Sequence, residues 1–410
     1  MNRLGTDCGC CASVATKSTK AAKLQSSYGT QAMPRNYYIF SSGRLRREAN
    51  TLLLEQTDAS RRIPIEDVEA LYAFGELDLN TKALNFLSQH RVPLHVFNYY
   101  GYYAGTYYPR EYLHSGHLLV RQAEHYLDLK RRMVLAKELL EGSLFNILRT
   151  VAYYTRRRGV RDDESDAVQS PEEGAEVQVP EDGLDDTAPP ADPIEVDLTR
   201  PDAPDGPLAA GFGTIEELAG QIGSASDAGE LMGVEGKARN TYYGLWQHIL
   251  VESALAEFRK RVRRPPDNPV NALISFGNGL LYAACVGEIY HTQLSPEISY
   301  LHEPGERRFS LALDIADVFK PVIVDRMIFS LLNTRQLVPN HFDTSLNGCR
   351  LDEDGRKLVV KAFEGKLQST LFHRRLKRHV SYQRLLRLEC YRLIRHLVGE
   401  ETYRAFHMWW

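Results

Sequence analysis

The chain has 410 residues, which is long for one hydrophobic core, so two domains are expected. Its apolar content of 43% is typical of a soluble globular protein. No signal peptide is apparent, and the most apolar stretch, Ala272–Val286, is too short and too polar for a transmembrane helix. We therefore expect a cytoplasmic protein with no membrane contact. Of the six cysteines, Cys8 and Cys11 alone have C-x-x-C spacing, and the second such pair that a zinc ribbon needs is missing.

The net charge of −3 is an average over two unlike parts of the chain. Residues 162–206 carry sixteen acidic side chains against the single base Arg200, so the other residues together carry +12. The acidic segment also holds seven prolines and few large apolar residues, and it predicts a disordered acidic insert over 160–212. This insert is interpreted as a solvated linker, with a DNA mimic and a partner-docking segment as alternatives. The basic remainder suggests a polyanionic partner.

In chain order, residues 1–34 predict a flexible arm that contains Cys8, Cys10 and Cys11. Residues 35–117 predict a small β-sandwich-like domain, because short β-branched and aromatic runs alternate with turn residues. One helix is predicted there, at Asn80–His90. The predicted strands are Tyr37–Phe40, Thr51–Leu54, Arg62–Ile65, Val68–Phe74, Val92–Phe97 and Tyr102–Tyr108.

From Leu118 the apolar spacing becomes helical, and residues 118–410 predict a larger all-α domain. The fold class is therefore α+β, with a β-rich domain followed by a helical one. Thr214 to Glu217 reads as a capping box that begins a helix after the insert. The predicted helices are 118–126, 133–140, 144–155, 229–240, 241–262, 269–290, 310–332, 355–378 and 380–397.

The segment around His302 predicts a cation site. His302 precedes Asp314 and Asp317, whose i, i+3 spacing places both acids on one face of a helix. Imidazole and carboxylate ligands suit Mn²⁺ or Mg²⁺. Taken singly, each residue has a simpler interpretation: Asp314 as a buried acid paired with Arg326, Asp317 as a surface acid, and His302 as a solvated loop residue.

Three further segments carry charged residues in informative patterns. Glu235 and Arg239 share a helix face with Tyr242 one turn on, and this segment predicts either an intrahelical ion pair or a ligand site. The basic run Arg261–Arg264 ends at a proline pair and suggests a helix junction. Residues 371–396 hold eight bases, among them Arg374 and Arg378, against one acid, which favours a contact surface for phosphates over a solvated helix face. The motifs of nucleotide hydrolases, dinucleotide enzymes and serine hydrolases are missing.

In this order, the segments resemble the CRISPR-associated integrases, the first-numbered Cas proteins of spacer adaptation. The resemblance covers roughly residues 35–410 outside the acidic insert and is closest to members of subtype I-B-like systems. The family usually has Glu where Asp317 stands, which changes the reach of the ligand and not its charge. The segments that carry the resemblance are Tyr37–Leu45, Glu235–Tyr243, Arg264–Ser275, Leu294–His302 and Ser310–Pro321.

The resemblance implies a metal-dependent DNA endonuclease and integrase that inserts short duplexes into a CRISPR array by 3′-hydroxyl attack on a phosphodiester. It implies Mg²⁺ or Mn²⁺ on Glu235, His302 and Asp317, with Asp314 as a supporting acid. It also implies a homodimer formed by the β domain and a small ferredoxin-like Cas partner that completes a heterohexamer on double-stranded DNA. A branched-DNA repair nuclease and a non-catalytic DNA-binding scaffold are the alternatives. The expected DNA contacts are Arg239, Tyr242, Lys320, Arg374 and Arg378.

Overall fold

The computed structural model describes residues 34–409, except residues 58, 160–205, 252–254, 256–257, 259, 306–308 and 345–347. Residues 1–33 of the predicted N-terminal arm and most of the predicted acidic insert lie outside the described residues.

Two four-stranded sheets form the N-terminal region, and α1 packs with them. One sheet has the order β1-β5-β7-β8 and the other the order β4-β3-β2-β6. Apolar residues of both sheets and of α1, such as Leu45, Leu71 and Phe86, form one buried cluster, which confirms the sandwich-like β region. The sequence prediction missed β2 and β6. The strands are β1 Arg35–Ile39, β2 Gly43–Glu48, β3 Thr51–Glu55, β4 Ser60–Pro64, β5 Val68–Ala73, β6 Leu77–Leu79, β7 Leu94–Phe97 and β8 Tyr103–Tyr107, with helix α1 at Thr81–Gln89.

The rest of the described chain is mostly helical and surrounds a second, larger core. Side-chain caps begin several helices: the Asn268 side chain, for example, accepts the N–H of Asn271 at the start of α6. The helices are α2 Gly116–Leu127, α3 Leu129–Gly159, α4 Pro207–Gly220, α5 Ala228–Ile249, α6 Pro269–Tyr290, α7 Ser310–Lys320, α8 Arg326–Asn333, α9 Glu353–Gln368 and α10 Tyr382–Leu397. The predicted helix 269–290 is confirmed in its bounds, whereas the two predicted helices 133–140 and 144–155 are parts of α3.

Helix α4 corrects two expectations about the chain after the insert. The helix begins at Pro207, inside the predicted disordered range 160–212, and its Phe212 is only 3% exposed. Burial of such side chains stabilises the helix, so residues 207–212 belong to the folded body. Thr214 lies within the helix and donates to the carbonyl of Ala210. The predicted capping box is therefore wrong.

The helical region also contains two short antiparallel hairpins, so the expected all-α domain is corrected. Strands β9 (Phe342–Asp343) and β10 (Arg350–Leu351) form the first, and β11 (Thr370–His373) and β12 (Arg378–Ser381) form the second. The second hairpin replaces the end of the predicted helix 355–378. Its turn places Lys377 at a φ of +50°, a left-handed conformation that a helix does not contain.

Helix α6 runs through the centre of the larger core. By length and composition this 22-residue helix could cross a membrane, in contrast to the expectation that its apolar stretch is too short. However, 78% of its most apolar window is buried inside the protein, where it packs against α7 and α10. These contacts explain its apolar character as that of a core helix.

Candidate metal centre

Three potential ligands from separate parts of the chain converge in what we call the metal cluster: Glu235, His302 and Asp317. Glu235 lies on α5, Asp317 on α7, and His302 in the loop that precedes α7. One ligand atom from each lies within 4.8 Å of the others. The two carboxylates are only 7% and 3% exposed, so their charges need compensation from nearby groups.

Asp314 holds the loop of His302 against helix α7. Its carboxylate accepts the backbone N–H groups of Tyr300, Leu301 and His302 at 2.7, 3.1 and 3.0 Å. The same carboxylate lies 2.8 Å from Nδ1 of His302, and Nε2 faces Asp317 at 3.7 Å. A hydrogen bond at Nδ1 fixes the ring orientation and leaves the Nε2 lone pair for a metal ion. The geometry agrees with a supporting role for Asp314.

Two cations compensate the carboxylates of the metal cluster. The guanidinium of Arg239 pairs with Glu235 through Nε and with Asp317 through Nη2, the latter at 3.1 Å. Lys320 forms a second ion pair with Asp317. Burial by itself would raise the pKa of Asp317, but Lys320, Arg239 and His302 outweigh it and hold this pKa well below its usual value. Asp317 is therefore ionised at neutral pH.

Helix α3 supports the backbone beneath Asp317. Pro321 has no N–H, so it cannot donate to the carbonyl of Asp317 four residues earlier. The hydroxyl of Ser143 donates to this carbonyl instead, at 2.9 Å, and also accepts from Arg239 at 3.2 Å. One helical turn on, Asn146 donates to the carbonyl of Val318 at 2.8 Å. Residues 321–325 form a short π-helix between α7 and α8, a feature often found at functional sites. Sequence reasoning missed Ser143 because its partners are distant in the chain.

The metal cluster lies in a cleft of about 1260 Å³. Arg261, Arg263 and Arg264 line the same cleft, and the last two are exposed. Arg261 is anchored by the side chains of Asn271 and Ser275 at 3.0 and 2.9 Å. The cleft thus combines acidic ligands with basic side chains that suit phosphate groups.

The structure contradicts the expected DNA contact of Tyr242. Its ring is fully buried and packs against Trp246 with ring centroids 5.9 Å apart. The adjacent Tyr243 lines the cleft instead. The sequence offers two neighbouring tyrosines, and only the packing of α5 decides which of them faces the cleft.

The bases of the C-terminal segment differ in their surroundings, and the expected DNA contacts of Arg374 and Arg378 remain predictions. Arg374 and Arg378 are exposed on the β11–β12 hairpin and do not line the cleft. Several other bases of the segment form ion pairs with acids that are distant in sequence or buried, which a local charge count cannot reveal. These pairs include Arg375 with Glu401, Arg387 with Glu69 and Glu288, and Arg392 with Glu389.

The donor set of the metal cluster fits a divalent cation. Two ionised carboxylates and one imidazole nitrogen are suitable ligands for Mg²⁺ or Mn²⁺, and the imidazole is already oriented by Asp314. The cleft gives a substrate access to the cluster. Among the residues that the structure describes, this is the one group of acids and histidines with such convergence.

Comparisons with known proteins agree in the family they indicate. The family model described as CRISPR associated protein Cas1 matches residues 37–180 and 199–365. The CRISPR-associated endonuclease Cas1 2 of Moorella thermoacetica is 45% identical over 376 residues, which cover 92% of this chain and all of that protein. The corresponding endonuclease of Fusobacterium nucleatum is 42% identical, with 92% and 98% covered.

Solved structures give the same result for the fold. The structure of a CAS1 protein from Thermotoga maritima matches with a TM-score of 0.71 at 38% identity and covers 91% of this chain and 99% of that one. A casposase bound to an integration product matches with the same TM-score of 0.71 at 17% identity, which is evidence for the fold alone.

Proposed function

The chain belongs to the Cas1 family of CRISPR-associated proteins, and we propose that its Glu235, His302 and Asp317 hold the divalent cation on which its activity depends. Its function is that of an endonuclease and integrase of CRISPR adaptation. The observation that carries the metal proposal is the convergence of these three side chains within 4.8 Å at the cleft. Assays with Mg²⁺ and with Mn²⁺ in turn would test which of the two ions supports the activity.

The proposed reaction is a transesterification at the edge of a CRISPR repeat. The oxygen of a 3′-hydroxyl forms a bond to the phosphorus and loses its proton, while the bond from phosphorus to the leaving oxygen breaks and that oxygen is protonated. A bound Mg²⁺ or Mn²⁺ would supply Lewis-acid stabilisation of the phosphate charge. No covalent bond to the protein forms.

The side chains around the metal cluster have separate tasks in this proposal. Asp314 keeps Nε2 of His302 directed at the cluster. Arg239 and Lys320 maintain positive charge beside Asp317, where they stabilise negative charge on a phosphate. The exposed Arg263 and Arg264 hold the DNA backbone along the cleft.

The test is alanine substitution of His302. We expect the H302A protein to lose metal-dependent half-site integration and Mn²⁺ binding, measured by electron paramagnetic resonance, while duplex binding and the circular dichroism spectrum stay unchanged. Glu303→Gln is the matched control, because Glu303 lines the same cleft but pairs with Arg132 at 2.7 Å. Full activity of H302A would refute the metal proposal.

We also propose the assembly that the family resemblance implies. The β region would form a homodimer, and a small ferredoxin-like Cas protein would join two dimers into a heterohexamer on double-stranded DNA in the cytoplasm. One solved structure with the same fold is a Cas6-RT-Cas1–Cas2 complex, at 17% identity to this chain. Light scattering of the protein alone and with its partner would test both steps, and a monomeric protein would contradict the first.

A further inference from the structure

Two adjacent tyrosines project from the turn between β7 and β8. Tyr99 is 79% exposed and Tyr100 is 48% exposed, and their rings meet edge to face with centroids 5.5 Å apart. The ring of Tyr99 buries little surface in the protein itself, so packing does not account for its position. Neither the metal cluster nor the mechanism above uses the two tyrosines.

The turn that carries the two rings is held rigidly. The side chain of Asn98 accepts the N–H groups of Tyr100 and Tyr102 at 3.1 and 2.9 Å, and the backbone N–H of Asn98 donates to the carbonyl of Tyr102 at 2.8 Å. Gly101 has a φ of +78°, and a Cβ atom there would lie 3.1 Å from the ring of Phe276. The rings are therefore presented on a fixed backbone, which reduces the entropy lost on binding.

Two arginines join the turn to the helical region. Arg356 donates to the carbonyl of Tyr99 at 3.1 Å, and the guanidinium of Arg350 lies 5.0 Å from the ring centroid of Tyr100. Arg350 is itself anchored by Asp343 at 3.2 Å. Two guanidinium groups thus adjoin the rings, as expected for a surface that meets nucleic acid.

The position of the turn connects the rings to the metal cluster. Asn98 and Tyr102, which flank the two tyrosines, line the same cleft as Glu235 and Asp317. The exposed bases of the cleft lie along its wall, where phosphates are expected. A DNA strand that leaves the metal cluster along this cleft therefore reaches the turn that carries the rings.

We propose that Tyr99 and Tyr100 form a stacking platform for unpaired nucleobases next to the reacting strand end. Aromatic rings bind bases of any sequence through their faces, and these faces are accessible in single strands but hidden in a duplex. The platform thus favours DNA with a single-stranded overhang or branch over a blunt duplex. The proposal rests on the proposed function only in taking DNA as the substrate.

The experiment compares the full chain with the double variant Tyr99→Ser/Tyr100→Ser. Binding is measured without divalent metal on a blunt duplex and on the same duplex with a short 3′ overhang that contains 2-aminopurine. We expect the variant to bind the overhang DNA about tenfold more weakly, with loss of the fluorescence change, and to bind the blunt duplex as before. Tyr99→Phe/Tyr100→Phe should retain overhang binding, because its rings are preserved.

Leu127→Ser is the matched control, because Leu127 is also 79% exposed and does not line the cleft. It should leave both affinities unchanged. Three results would overturn the proposal: equal loss on both DNAs, no loss on either, or an altered oligomeric mass, which would identify the rings as a protein interface. Because the binding assay contains no divalent metal, its result does not depend on the metal proposal, which the H302A variant tests separately.

Discussion

The metal cluster and a second buried cluster contain the same kinds of side chain, yet only the first has convergent ligands. The second, here called the junction cluster, consists of Glu69, Glu288, His291 and Arg387. It joins β5 of the sandwich to helices α6 and α10. The metal cluster together with its neighbour Arg239 holds two carboxylates, a histidine and an arginine, as the junction cluster does, so residue content does not distinguish them.

The arginine bridges two acids at both clusters, so it does not distinguish them. Arg387 pairs with Glu288 at 2.6 Å and with Glu69, just as Arg239 pairs with Glu235 and Asp317. Burial lowers the pKa of His291, although Glu69 counteracts this effect, so the 3.4 Å contact between them is not an ion pair at neutral pH. None of these residues lines the cleft of the metal cluster.

The histidines show the opposite behaviour because their neighbours differ. Burial also opposes protonation of His302, but the hydrogen bond and charge of Asp314 outweigh it, and the pKa of His302 is raised. The supporting acid Asp314 and the open cleft therefore distinguish the metal cluster. The junction cluster has neither, so we interpret it as a structural contact.

The largest expected contrast comes from the same chemical change at both clusters. Asp317→Asn should reduce half-site integration by about a thousandfold or more, because a charged ligand is lost. Glu288→Gln should keep the activity of folded molecules within a few-fold and instead lower thermal stability. Integration rates normalised to the folded fraction check both. An inactive but fully folded Glu288→Gln protein would abolish the distinction between the clusters.

Removal of the arginine of the junction cluster should affect stability. Arg387→Met leaves Glu69 and Glu288 without their shared cation, and breaking such a buried pair costs about 3–5 kcal/mol. Urea denaturation monitored by circular dichroism measures this cost. Arg378→Met, at an exposed position, should change stability by less than about 0.5 kcal/mol. Equal midpoints for the two variants would show that the junction cluster does not stabilise the fold.

A neutral histidine beside the junction cluster predicts sensitivity to acid. His95 is fully buried, close to Gly287, and burial lowers its pKa from 6.5 to about 3. As the pH falls, His95 is protonated in the unfolded state before it is protonated in the folded state. The free energy of unfolding therefore receives the full contribution of the neutral His95 above pH 6.5, and this contribution declines as the pH falls toward 3.

His95→Gln tests this dependence. The slope of unfolding free energy against pH, between pH 6 and 4, should decrease by up to about 1.4 kcal/mol per pH unit. Urea titrations at several pH values give the slopes. An unchanged slope would mean that His95 is protonated in the folded protein.

The smallest effect is expected beneath the metal cluster. Ser143→Ala removes the donor to the carbonyl of Asp317 and a contact of Arg239, and should slow integration about tenfold without a change in DNA affinity. Thr155→Val removes a hydroxyl from the same helix that donates only within α3. Both should cost about 1 kcal/mol of stability. Equal integration rates would reduce Ser143 to a packing role.

The sequence predicted those features that depend on neighbours in the chain. The β region, helix α6 and the pairing of His302 with acids on α7 follow from local periodicity and spacing. Glu235 entered the predicted site only through the family resemblance, because no local pattern connects it to residues sixty-seven positions away. Tyr242 was assigned to DNA although it is buried, since helical spacing alone could not separate it from Tyr243.

By itself, then, the sequence determined the fold class, most helices, the family and the candidate ligands. Only the tertiary structure decided how each charged group is used. The carboxylate of Asp314 accepts hydrogen bonds from three backbone N–H groups, and Arg387 forms ion pairs with acids that are distant in sequence. Arg263 and Arg264, in contrast, are exposed in the cleft. The physical reason is that periodicity reflects the local backbone, whereas ion pairing and burial depend on groups that only the folded chain brings together.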